Sequence, residues 1–117
     1  MSLLNADTLL GQAIAAQNAN DFARAATLYQ QVIALAPNRP EAYVNLGLMH
    51  QNSGRLDVAE KFYRGAIKVA PKLAIAHLNL GVVHVQRGEE DAAVACFQQA
   101  LRLDPNRKDA LLNLAGA

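Results

Sequence analysis

The sequence predicts an all-α chain of stacked two-helix units, and three observations carry that reading. Landmark residues recur every 34 positions: Pro37, Pro71 and Pro105; Ala25, Ala59 and Ala93; Tyr29, Tyr63 and Phe97. Between the landmarks, apolar residues fall at three- and four-residue steps, the spacing of one helix face. Each apolar stretch ends on a stop, Asn52-Ser53-Gly54 in the middle of a unit or Pro71 at its end. A fixed period of this length means supersecondary units that cannot bury their apolar faces alone and therefore stack.

The elements follow in chain order. The first unit, 6–39, is the least regular. It keeps Ala25, Tyr29 and Pro37, which places helices near 7–18 and 22–35. In the second unit, 40–73, Tyr43, Leu46, Gly47 and His50 share one face of a helix over 40–53. Leu56, Ala59, Phe62, Tyr63, Ala66, Ile67 and Val69 then form a wider apolar stripe over 56–69. Gly54 suits the left-handed position after a helix C-terminus, and Asp57 sits in the next first turn, where a carboxylate meets the positive dipole end. The third unit, 74–107, repeats the second at ten of 34 positions, giving helices near 74–87 and 90–103 with Gly88 and Asp91 in the same roles. Residues 108–117 begin a partial fourth unit. Gly47, Gly81, Ala59 and Ala93 let helix axes approach closely, while Tyr29, Tyr63 and Phe97 fill the wider gaps.

Composition narrows the function classes. At 117 residues and 12.6 kDa the chain makes one domain. A net charge of +1 supplies no basic stripe for nucleic acid. One cysteine, Cys96, excludes an intrachain disulfide framework and a multi-cysteine metal site. There is no apolar run long enough to span a bilayer and no secretory leader pattern. A soluble, cytoplasmic, non-catalytic domain with no cofactor is the expectation. His50 and His84 recur in phase without a recurring third ligand, so they read as core histidines rather than a zinc pair. Cys96 reads as a small buried hydrophobe. Lys61, Arg64, Lys68 and Lys72 read as a solvated convex face. No nucleophile elbow, phosphate loop or calcium loop is present.

The pattern Tyr43-x-x-Leu46-Gly47-x-x-His50, then Gly54, Ala59, Tyr63, Ala66 and Pro71, resembles a tetratricopeptide repeat. The third unit matches through Leu80, Gly81, Gly88, Ala93, Phe97, Ala100 and Pro105; the first departs at Gln12, Ala13 and Asn20. The resemblance covers about residues 6 to 117. It implies a right-handed solenoid whose first helices line a concave groove that holds a protein segment. With Tyr43, Leu46, Gly47 and His50 on the packed side, helical spacing turns Glu41, Val44, Asn45, Leu48, Gln51 and Asn52 toward that groove. Ile75, Leu78, Asn79, Val82, Val85 and Gln86 take the same places in the third unit, and Asp7, Leu10, Ile14, Gln17 and Asn18 in the first.

Asn45, Asn79 and Asn113 are the sharpest candidates. Asn is a mediocre helix former, about 0.5 kcal/mol worse than Ala, yet it recurs at one phase. Its amide offers a donor and an acceptor together, which suits the main chain of an extended peptide. The arrangement is similar to the asparagine ladder of O-linked N-acetylglucosamine transferase repeats. The alternative is that these amides bridge neighbouring helices. Aliphatic groove positions point to a partly apolar ligand. The carboxylate clamp of chaperone-binding members is not expected, because Leu10, Ile14, Ile75 and Asn79 stand where its residues would be, only Asn45 matches, and no cation lies on the groove helices. Leu111, Leu112 and Leu114 in the partial unit predict either a longer parent chain, which Met1-Ser2-Leu3 as an expression scar would favour, or two copies covering each other's open ends.

Overall fold

The computed structural model describes residues 5–116 and contains seven α-helices and no strand among them. Met1, Ser2 and Leu3 lie outside the described residues. The helices are α1 (Ala6–Asn18), α2 (Phe22–Leu35), α3 (Pro40–Asn52), α4 (Leu56–Val69), α5 (Ala74–Gln86), α6 (Glu90–Leu103) and α7 (Lys108–Ala115). Every expected helix is present, within a residue of its expected limits.

Local chemistry sets the boundaries. Asn5 Oδ1 accepts from the Thr8 amide at 2.8 Å and Asp21 Oδ1 from the Arg24 amide at 3.3 Å, which caps α1 and α2. Pro40 opens α3, where a missing N–H is harmless. The turns inside the three hairpins need a left-handed residue, and Asn20, Gly54 and Gly88 supply it with φ of 63°, 80° and 75°. Asn20 therefore does in the first unit what glycine does in the others.

Each first helix packs on its second, α1 on α2, α3 on α4 and α5 on α6, and each second helix then packs on the next first helix. The result is an all-α right-handed solenoid, 51 Å long and 26 by 20 Å across. Tyr29, Tyr63 and Phe97 are completely buried at the centres of the three hairpins. Gly47 and Gly81 are needed opposite two of them. A Cβ on Gly81 would stand 2.6 Å from Phe97 Cε1, and one on Gly47 would overlap the Tyr63 ring. Gly65 has the same role against Tyr43, whose Cδ1 would lie 2.8 Å from an added Cβ. The tyrosine hydroxyl donates to the Pro37 carbonyl at 3.0 Å, and His77 Nε2 lies 3.0 Å from the Pro71 carbonyl one unit later. These contacts pin each first helix to the turn before it.

The two recurring histidines are packing residues. His50 stacks on Phe62 with ring centres 5.4 Å apart, and its imidazole pKa is pushed down by burial and then by the Arg55 charge. His84 is buried, and its Nδ1 meets Glu89 at 2.8 Å. Cys96 is half-buried, against Ala59, Tyr63, Leu80 and Val83. Burial pushes its thiol pKa up, opposite to what a reactive thiolate requires.

Candidate binding groove

The first helices α3 and α5 touch each other only lightly, and each packs mainly on second helices. The candidate residues recur on these first helices at matching positions of successive units. Asn45 and Asn79 are half-buried, and neither side-chain amide bonds to another described residue. Their donors and acceptors are thus available on the first-helix surface. Asn113 differs, because its Nδ2 donates to the Asp109 carbonyl at 2.7 Å. One of its amide protons is committed to its own helix.

The apolar candidates divide into two groups. Leu48 and Val82 are half-buried, and Ile14 and Val85 are exposed. Val44 and Leu78 are instead buried. Val44 sits against Ala66 and Ala76, and Leu78 among Ala93, Phe97, Ala100 and Ala110. They join helices to one another and leave little surface for a ligand, a correction to the sequence expectation. The cause is contact with the following unit, where Val44 meets Ala76 of α5 and Leu78 meets Ala110 of α7.

The polar candidates form a chain. The Tyr63 hydroxyl donates to Gln51 Oε1 at 2.6 Å, and Gln51 Nε2 donates to Gln86 Oε1 at 2.8 Å. Tyr29 makes the equivalent bond to Gln17 Oε1 at 2.5 Å. A buried phenol thus fixes which end of each glutamine is oxygen, and both Nε2 groups turn away from the core. Burial also raises both tyrosine pKa values, so the hydroxyls stay protonated donors well above neutrality. Gln86 and Asn52 are exposed.

At the opposite end of the groove helices, Arg39 precedes α3 and pairs with Asp7, and its Nε lies 3.8 Å from Glu41. A cation therefore does stand at the groove edge, already matched by two carboxylates. Sequence reasoning missed it because Arg39 lies before the helix, outside the face being counted.

Stacked helical hairpins define the class: a repeat-built α-solenoid. The chain belongs to the tetratricopeptide repeat family, whose models match residues 38–106 and 7–39. Among solved structures, the first such domain of Spaghetti (RPAP3), bound to an HSP90 peptide, superposes with a TM-score of 0.88 at 18% identity, covering 95% of this chain and 88% of that one. An O-GlcNAc transferase mutant from Thermobaculum terrenum gives 0.83 at 31% identity, covering 93% of this chain and 21% of the enzyme. MamA gives 0.82 at 26% identity, covering 89% and 61%. No curated protein matches the chain in sequence. No helix among the described residues is long and apolar enough to cross a membrane.

Proposed function

We propose that the groove binds an extended, partly apolar protein segment and that the chain works as a non-catalytic adaptor or scaffold module. The observation that carries this reading is the pair of half-buried amides of Asn45 and Asn79, unbonded among the described residues, at one phase of successive units. Each pairs with the N–H and C=O of one residue of the extended segment, so recognition runs along the backbone and tolerates varied side chains. Asn113 contributes its carbonyl oxygen. Ile14, Leu48, Val82 and Val85 provide apolar contact, and Gln51, Asn52 and Gln86 supply the polar wall. Structural likeness to a domain seen with a bound peptide supports the same use of the groove.

The test is affinity selection of random peptides on the wild-type domain. Selected peptides are then titrated against Asn45→Ala/Asn79→Ala, checked for helicity by circular dichroism. Loss of the four backbone hydrogen bonds that the two amides make lowers affinity about tenfold or more. Unchanged affinity removes the asparagine pair from the site.

A second reading has its own support. The 31% identity to part of a glycosyltransferase favours a substrate-recognition region of a larger enzyme. The coding sequence flanking this segment decides between the two. Self-association is the third use, through α7, where Leu111 and Leu112 are 51% and 74% exposed. Light scattering on Leu111→Gln/Leu112→Gln against wild type decides that one.

A further inference from the structure

The two junctions between repeats are built differently at matching positions. Where α4 meets α5, Arg87 reaches across from the end of the α5 hairpin turn. Its Nη1 donates to Asp57 at 2.9 Å, its Nη2 to Glu60, and its Nε to Glu89 at 3.0 Å. His84 closes the same corner through Glu89 at 2.8 Å. These five side chains bridge the seam, leaving beside it a shallower depression lined by Gly54, Leu56, Asp57, Val58 and Arg87.

Where α2 meets α3, the residues 34 positions earlier are Ala23 for Asp57, Ala26 for Glu60 and Ser53 for Arg87. Glu89 is replaced by Arg55, a reversal of charge. The seam is open there, as a cleft of about 380 Å³. Phe22, Ala23, Ala26 and Met49 give it an apolar wall, and Phe22 is 52% exposed. Gln17, His50, Asn52, Ser53 and Arg55 supply its polar lining. No carboxylate lines the cleft, and Arg55 has no ion-pair partner among the described residues. The neighbouring His50 imidazole is biased toward its neutral form, so Arg55 is the charge that an incoming group meets.

We propose that this cleft is a second docking site, for a protein segment that sets an aromatic or branched apolar side chain against Phe22 and Met49 and a flanking carboxylate on Arg55. Charge complementarity selects the acidic neighbour, because an unmatched guanidinium beside an apolar wall gains a partner of the kind that Arg87 has at the second junction. The volume suits one large side chain and the start of the next residue. The cleft shares Asn52 with the groove's polar wall, but it uses neither Asn45 nor Asn79 and does not depend on that pair.

The probe is the capped tripeptide acetyl-Asp-Phe-Asp-amide, followed by amide NMR on the labelled wild-type chain, with acetyl-Asn-Phe-Asn-amide and acetyl-Asp-Ala-Asp-amide as comparisons. The expected result is saturable shifts centred on Phe22, Ala26, Met49 and Ser53. The acidic peptide binds about threefold tighter than its amide counterpart, the scale of one exposed ion pair, and the alanine peptide gives no saturable shift. Arg55→Gln, a change at an exposed position, levels the first two. A variant with Ala23→Asp, Ala26→Glu, Ser53→Arg and Arg55→Glu copies the second junction and abolishes the shifts. Asn45→Ala/Asn79→Ala binds the tripeptide as wild type does, which keeps this site separable from the groove. Absent shifts, shifts centred elsewhere, or an acidic preference that survives Arg55→Gln overturn the proposal.

Discussion

The hydroxyl of Tyr63 donates to Gln51 Oε1 at 2.6 Å, so a residue of the hairpin core sets the orientation of a groove amide. The pairing tracks the repeats. Tyr29 holds Gln17 in the first unit, while the third has Phe97 and Val85 at the same two places, with neither hydroxyl nor amide.

Tyr63→Phe is expected to lower stability by about 1 kcal/mol, because it strips the amide oxygen of Gln51 of its partner. Adding Gln51→Val restores most of the loss, since the double variant reproduces the third unit. Urea unfolding of the four proteins in the cycle measures the coupling. The tyrosine also sets an alkaline limit. Its folded pKa lies above the unfolded value of about 10, so its contribution is complete below that pH and lost as pH rises through the folded pKa. Wild type weakens in strong base more steeply than Tyr63→Phe.

Arg87→Met should destabilise the chain by about 1 kcal/mol at neutral pH, through loss of the ionic seal between α4 and α5. The Arg87 guanidinium holds the Glu60 carboxyl pKa below its ordinary range. A depressed folded pKa contributes stability above the unfolded value of about 4.3, and that contribution disappears as pH falls through the folded one. Thermal melts from neutrality down to acid should fall less steeply in Arg87→Met than in wild type. Parallel curves would contradict the assignment.

Two glycine-to-alanine changes should move stability in opposite directions. Gly11 lies within α1 with nothing within 4 Å of an added Cβ. Gly11→Ala is expected to stabilise by up to about 1 kcal/mol through helix propensity. Gly81→Ala gains the same propensity but drives its methyl into Phe97, an overpacking term of about 1–3 kcal/mol, and nets a loss. Chemical denaturation of both variants reads the difference.

The left-handed turn residues offer a graded series. Gly88→Ala meets no atom but must hold φ near 75°, at a loss of about 1 kcal/mol. Gly88→Asn should lose less, since Asn20 already adopts this conformation in the first unit. Equal melting temperatures for the two variants would contradict the backbone argument.

The seven helices were legible because the 34-residue period repeats each stop and each small residue two or three times. Gly47 and Gly81 could be read as close approaches for the same reason. Gly65 could not, because Gln31 and Gln99 occupy its place in the neighbouring units and no pattern flags it. The groove helices were readable from helical phase, but phase alone does not say which positions the following unit covers, and so Val44 and Leu78 sit deeper than expected. The Tyr63–Gln51 bond had left a trace: tyrosine accompanies glutamine twice, and phenylalanine accompanies valine once. The open first seam had left one too, in the change of Asp57, Glu60 and Arg87 to Ala23, Ala26 and Ser53. Both traces require comparing pairs of positions across units, where the repeat pattern directs attention to single ones.

In a linear array, each unit leans only on its neighbours, so the weakest joint decides where fraying begins. The α2–α3 joint rests mainly on apolar packing, with only the Arg39–Asp7 pair, among the described residues, crossing between its units for salt to screen. The α4–α5 joint adds the Arg87 cluster, whose attraction salt partly screens. Ionic strength therefore acts on the two joints unequally. Raising it lowers the hydrogen-exchange protection of α5 and α6 relative to α1 and α2, and the surrounding electrolyte biases the end from which the solenoid unzips.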